Sequence, residues 1–181
     1  MKILTGKVRA SYVNVFTPRY NDLSEKDEYS MQILIKKDDS VTLARIEKAI
    51  DEALKEEWPE KRPENLRFPL KDGDEKDDVV YIGCWYMNVK SYSAPGILDR
   101  QRQDIIDETE FVSGDYCRCT LNSKAYNKKV NRGVSFWVNN IQVLEKGKPL
   151  GGGKARAADD FPDDLDDLDD GRSSKKENPF G

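Results

Sequence analysis

From Lys7 to Phe16 the chain reads Lys-Val-Arg-Ala-Ser-Tyr-Val-Asn-Val-Phe, rich in β-branched and aromatic residues and closed by Thr17-Pro18, which predicts a first strand. Glu28 to Ile35 predicts a second, with the polar stretch Tyr20 to Asp27 as the hairpin loop between them. Leu43, Ile46, Ile50 and Leu54 then recur at spacings of three and four, the apolar stripe of a helix that faces a core. It runs from Ser40, whose hydroxyl can cap the first turn, to about Trp58, where Pro59 ends it. Glu60 to Asp78 is polar and carries Pro63, Pro69 and Asp72-Gly73, the composition of an irregular loop. Strand patterns return over Val79 to Tyr92, with a bend at Gly83 and Pro95-Gly96 as its stop, then over Asp115 to Tyr126 and Val134 to Leu144. A basic turn, Asn127 to Gly133, separates the last two, and Ile97 to Phe111 matches neither period. This order predicts a mainly β fold with one or two helices, in the form of an OB-fold-like five-stranded antiparallel barrel. A β-sandwich or an RRM-like α+β sheet has the same strand count and stays open.

Alternation within two of these strands separates their faces. From Tyr116 the even positions are Tyr116, Arg118, Thr120, Asn122, Lys124 and Tyr126, and the odd ones Cys117, Cys119, Leu121, Ser123 and Ala125. Successive strand side chains point to opposite faces, so one face is small and apolar while the other is aromatic, basic and hydrogen-bonding. Trp85 to Tyr92 repeats the division, with Trp85, Met87 and Val89 against Tyr86, Asn88, Lys90 and Tyr92. Rings on which unpaired bases stack, each contributing roughly 1–3 kcal/mol, with cations beside them for phosphates, are what single-strand binding requires. Around Tyr126 the turn adds Lys124, Lys128, Lys129 and Arg132 with no acid among them. The candidate DNA-binding residues are Tyr86, Lys90, Tyr92, Tyr116, Arg118, Lys124, Tyr126, Lys128, Lys129 and Arg132. Lys7, Arg9, Tyr12, Phe16 and Arg19 form a weaker set, and of the adjacent Phe136 and Trp137 one should face the core. A solvated sheet face or a tyrosine-rich subunit interface would show the same alternation.

Charge divides the chain. Of 34 acidic and 30 basic residues, nine acids and five bases lie beyond residue 150, leaving 25 of each before it, so the net charge of −4 belongs to residues 151–181. Ala158 to Gly171 holds eight Asp and no Lys or Arg, a self-repelling block expected to be disordered, and Gly151-Gly152-Gly153 reads as the hinge before it. We therefore divide the chain into a binding domain, 1–150, and a flexible acidic tail, 151–181. With no His, the commonest general acid/base and the usual nucleophile pairings are missing, and three Cys give neither a disulfide framework nor a zinc set. The chain is expected to be no enzyme and to need no cofactor or metal. The rival is a metal-dependent nuclease built on Asp99, Asp104, Asp107, Glu108 and Glu110. No run of eighteen apolar residues and no apolar leader are present, which predicts a soluble, cytoplasmic protein without membrane partners.

The tail interleaves its acids with Phe161, Leu165 and Leu168 and ends Asn178-Pro179-Phe180-Gly181, a peptide suited to a basic, hydrophobic groove. Ser11 to Pro18, Trp85 to Asn88, Pro95, Ser113-Gly114-Asp115-Tyr116 and Gly133-Val134-Ser135 leading to Asn140-Ile141-Gln142 make residues 1 to 150 resemble the Enc34-like family of bacteriophage single-stranded-DNA-binding proteins. That resemblance implies an OB-fold, binding to single-stranded DNA without strong sequence preference, and a homodimer. Independently, the tail resembles those by which bacterial and phage single-stranded-DNA-binding proteins recruit replication and recombination proteins, which assigns Asp169, Asp170, Pro179 and Phe180 to partner binding. Its acids could also compete with DNA for the domain's cations. Here Gly181 follows Phe180, so the aromatic residue does not carry the terminal carboxylate. The alternative function is an interaction or structural protein whose acidic tail mimics DNA.

Overall fold

Inward positions of five long strands share one core in the computed structural model, which describes residues 1–150. The strands are β1 (Lys2–Leu4), β2 (Val8–Asn21), β3 (Lys26–Lys36), β4 (Lys71–Asp72), β5 (Cys84–Ser91), β6 (Gly96–Leu98), β7 (Tyr116–Lys128) and β8 (Asn131–Glu145), with helix α1 (Ser40–Glu57) between β3 and β4. Strands β2, β3, β5, β8 and β7 pair in that order and β7 pairs back to β2, which closes a barrel-like ring. Val8, Ala10, Ile33, Ile35, Met87, Val89, Cys117, Cys119, Leu121, Phe136 and Val138 alternate into it. The ring is not wholly antiparallel. Because β7 and β8 form a hairpin set between β5 and β2, β8 meets β5 running the same way, at Val89↔Phe136 and Lys90↔Trp137.

Helix α1 buries Ile46, Ala49, Ile50, Ala53 and Leu54 and packs against β1, β7 and β8. Its cap is Asp39 rather than Ser40: the Asp39 carboxylate accepts the Thr42 N–H at 3.1 Å, and the Thr42 hydroxyl accepts the Gly6 N–H at 2.8 Å. Asp39→Ala should therefore lower stability by about 1 kcal/mol, read from the urea midpoint, because an orphan donor of the first turn is left unpaired.

Other differences have local causes. β2 continues through Thr17-Pro18, because its register with β3 shifts between Asn14 and Arg19 and the missing Pro18 N–H falls in that interruption. The β2–β3 loop thereby shrinks to residues 22–25, and the β7–β8 turn to Lys129 and Val130, with Lys129 at φ 48°. Val79–Tyr81 is a turn of 3₁₀ helix capped by Asp78, not strand, and β5 begins after Gly83 at φ 74°.

The stretch between helix and β5 is more ordered than its composition suggests. Arg67 bridges Gly133 of β8 and β4 pairs with Tyr86 and Trp85 of β5, so residues 67–72 occupy the seam where the two ring strands are not directly paired. Gly133 is required there, since a Cβ would stand 2.2 Å from the Arg67 carbonyl oxygen. Among the described residues no helix is long and apolar enough to cross a membrane.

Candidate nucleic-acid interface

On β5, Met87 and Val89 point into the core while Tyr86, Asn88 and Lys90 point outward, as the alternation requires, and Tyr92, just past the strand end, is exposed as well. On β8, burial of Val134, Phe136 and Val138 sends Trp137 to the same outer side, level with Lys90. The rings of Tyr92 and Trp137 meet edge to face at 4.8 Å. Lys26 lies 4.9 Å from the Tyr92 ring and Lys90 5.2 Å from the Trp137 ring, so two cations flank the pair. The Trp137 indole N–H is buried and has no hydrogen-bond partner among the described residues. Glu28 is the acid of this cluster and holds Lys90 at 3.2 Å. Burial pushes its carboxyl upward, but hydrogen bonds from Asn21, Ser24 and Lys90 outweigh that and leave it below the ordinary carboxylate value. Its charge thus persists as the pH falls, and Lys90 stays tethered over the rings.

About 13 Å along β5 from Lys90, by the strand rise over four residues, lies a second group. Tyr86 packs edge to face on Tyr81 at 5.2 Å, and Lys76 stands 3.9 Å from the Tyr81 ring, 4.9 Å from Tyr86 and 5.9 Å from Tyr12. Tyr81 is held by its hydroxyl, which donates to Gln32 Oε1. Tyr12 is 65% exposed and has φ 48° at the β2 bulge, a conformation that costs a non-glycine residue energy and is concentrated at functional sites. At the β7–β8 turn, Lys124, Lys128 and Lys129 are exposed and make no ion pair among the described residues, while Val130 at the tip is 96% exposed. Tyr126 is half-buried beside Gly133, and the Arg132 Nε is buried without a hydrogen-bond partner among the described residues.

The remaining two candidates lie elsewhere. Asn122 of β7 pairs with Trp137, so Tyr116, six residues along, is about 20 Å from it. There Tyr116 takes Lys7 at 5.5 Å and Arg9 at 5.6 Å, Lys7 is paired to Glu145, and Arg118 donates to Gln142 at 2.7 Å. This group points to a different side of the ring. Of the secondary set, Tyr12 joins the Tyr86 cluster and Lys7 and Arg9 the Tyr116 group, whereas Phe16 packs against the core. Sequence reasoning misses Lys76, Tyr81 and Lys26: Lys76 comes from a stretch with no periodicity, Tyr81 from a strand-like stretch that folds as a 3₁₀ turn, and Lys26 from the loop side of a strand end. Trp137 is readable from the alternation of Val134, Phe136 and Val138.

Asp99 accepts the Gln103 N–H at 2.8 Å and Asp107 the Thr109 N–H at 2.9 Å, so these carboxylates close turns. Among the described residues no three acidic or cysteine side chains converge as metal ligands would. Asp169, Asp170, Pro179 and Phe180 lie outside the described residues.

The family model for the single-stranded-DNA-binding protein of Enterobacter phage Enc34 matches residues 1–171. The chain belongs to that family. A curated relative, putative protein p50 of Acyrthosiphon pisum secondary endosymbiont phage 1, is 26% identical over 173 residues, 90% of this chain and 94% of its own. The single-stranded DNA-binding protein from bacteriophage Enc34, solved in complex with ssDNA, superposes with a TM-score of 0.74 at 19% identity, covering 83% of this chain and 89% of that one. The gp2.5 single-stranded DNA-binding protein encoded by bacteriophage T7 gives 0.60 at 13% identity, covering 84% and 98%. The barrel-like ring with one helix is therefore an architecture shared with phage single-stranded-DNA-binding proteins.

Proposed function

We propose that this chain is a non-enzymatic protein that binds single-stranded DNA without sequence preference in phage DNA replication. The observation that carries the reading is the Tyr92–Trp137 pair between Lys26 and Lys90: rings for bases, ammonium groups for phosphates, and an indole N–H with no partner among the described residues. In an OB-fold the second and third barrel strands and the loops joining strands one–two and four–five bind oligonucleotides. Those elements here are β3, β5, the 22–25 loop and the Lys129-Val130 turn, where the cations and rings cluster. Tyr86, Lys90, Tyr92, Trp137 and Tyr126 form the stacking path, and Lys124, Lys128, Lys129 and Arg132 the backbone clamp. Tyr116 and Arg118 fall outside this path. With 25 acids and 25 bases before residue 151, bulk attraction is absent, so a local concentration of cations must supply the electrostatic term.

In the same reading, residues 1–150 carry DNA binding and 151–181 act as a tail that competes with DNA and recruits replication or recombination proteins through Asp169, Asp170, Pro179 and Phe180. The protein works as a homodimer in the cytoplasm.

Fluorescent oligo-dT titrated against duplex of equal length tests the core of this. Single strands should bind more tightly, with a log–log salt slope of about −0.7 per phosphate neutralised. Reversing Lys128 and Lys129 to Glu should weaken binding at every sequence and flatten that slope by about 0.7 for each phosphate that the clamp no longer reaches. If micromolar protein at low salt fails to shift oligo-dT, the reading is wrong and the interaction-protein alternative replaces it.

A further inference from the structure

A cavity of about 590 Å³ lies beside the β7–β8 hairpin, lined by Trp58 at the helix end, Lys61, Arg62, Pro63, Glu64 and Asn65 of the following loop, and Asn127 and Arg132 of the hairpin. It opens widely to solvent, as a surface groove does. Three cations face one acid in it. Arg62 is anchored by an ion pair with Asp51, which also holds Lys55 at 2.7 Å, while Lys61 is exposed with no ion pair among the described residues. Arg132, half-buried, also lines it, and its buried Nε–H has no acceptor among the described residues. Asn127 donates its amide toward Glu57 at 3.5 Å, which leaves its carbonyl oxygen for a base edge.

The walls are fixed rather than collapsible. Arg67 donates its N–H to the Arg132 carbonyl at 2.9 Å and accepts from Val134 at 3.2 Å, tying the loop to β8 on both sides of Gly133. Trp58 packs against the core, and its N–H closes the helix on Leu54 at 2.9 Å. Asn127 and Arg132 are cross-strand partners on the hairpin that also carries Lys128 and Lys129. The cavity is thus continuous in sequence and space with the proposed clamp.

We propose that this cavity is a second nucleotide subsite, in which Arg132 and Lys61 hold a phosphate and Trp58 meets a base of a strand that has passed the β7–β8 hairpin. The proposal rests on the single-strand-binding reading and adds to the sheet face a terminal station that only longer strands reach. An aromatic ring, an amide and unneutralised cations together suit a nucleotide better than an acidic peptide, which would leave the ring and amide unused.

The full-length protein can be crosslinked to oligo-dT carrying 5-iododeoxyuridine at one end or at the centre, with the labelled peptide identified by mass spectrometry. End-labelled strands should modify the peptide containing Trp58, and centre-labelled strands those containing Tyr92 or Trp137. Lys61→Glu should weaken binding of long strands by roughly fivefold or more at low salt and flatten their salt slope by about 0.7, while the shortest strand that spans the sheet face binds as before. Crosslinks confined to the face, or a Lys61→Glu effect that is absent or independent of strand length, would overturn the subsite alone. If the parent binds no oligo-dT at all, the underlying reading falls and the subsite with it.

Discussion

Trp137→Ala should weaken oligo-dT binding by roughly 5- to 150-fold, the loss of 1–3 kcal/mol associated with removing one stacking ring. Trp137 stands on the outer side of β8, level with Lys90 and in edge contact with Tyr92, so its truncation removes one platform and unseats the second. Trp137→Phe keeps a smaller ring but loses the fused pyrrole ring with its N–H, and should recover part of the affinity. A fluorescence anisotropy titration at fixed salt measures both, with the unfolding midpoint as control for the fold. Tyr116→Ala is the informative comparison: it removes a half-buried tyrosine from another side of the ring and should change affinity by less than about twofold, in the range of a neutral surface substitution. Equal losses for the two variants would mean that the sheet face is assigned wrongly.

Asp115→Ala should cost about 2–4 kcal/mol of folding stability, a large share of what a domain of this size commands. The Asp115 carboxylate is fully buried and accepts the Val112 N–H at 2.9 Å, the Gly147 N–H at 3.1 Å and the Lys146 ammonium at 3.0 Å. Its removal strands two backbone donors, whereas Lys146, half exposed, can return to water and adds little. Asp115→Asn retains one acceptor and should fall between the two. Urea unfolding followed by tryptophan fluorescence reads the difference, and DNA affinity per folded molecule should be unchanged. The neighbouring Gly114 has φ 109° and no room for a Cβ, which would stand 2.2 Å from the Lys148 carbonyl oxygen. Ser113-Gly114-Asp115 is therefore a latch between the entry to β7 and the exit from β8.

The individual strands are legible in the sequence because half-exposed strands must alternate: β5 and β7 each bury their small and apolar members and present the ring-and-cation members. What alternation cannot convey is where an outward face looks. The outward normals of a closed ring sweep through a full turn, so Tyr116 and Tyr86 obey the same rule on different sides. The helix is legible from its apolar stripe, but Asp39 and Ser40 are both competent caps, and it is the Asp39 carboxylate that accepts the Thr42 N–H. Lys76 belongs to a segment with no period of its own and Tyr81 to a strand-like stretch that folds as a 3₁₀ turn, and both are placed by contacts with Gln32 and Tyr12 that are distant in sequence. The tight turn at Lys129 is hidden because it lacks the glycine or asparagine that normally marks a positive φ.

Pro18 and the two register shifts of β2 fall on the part of that strand beyond its short pairing with β7 at Val8 and Arg9, where one side has no strand partner among the described residues. Molecules that coat a common strand must lie shoulder to shoulder, at a local concentration where any long bare strand edge would recruit its neighbour's backbone. A prolyl nitrogen and a broken register deny such a neighbour a regular ladder, and the outer strands β1 and β6 offer only three residues each. The same irregularities that obscure the end of β2 in the sequence thus deny a neighbouring copy a regular strand edge to pair with.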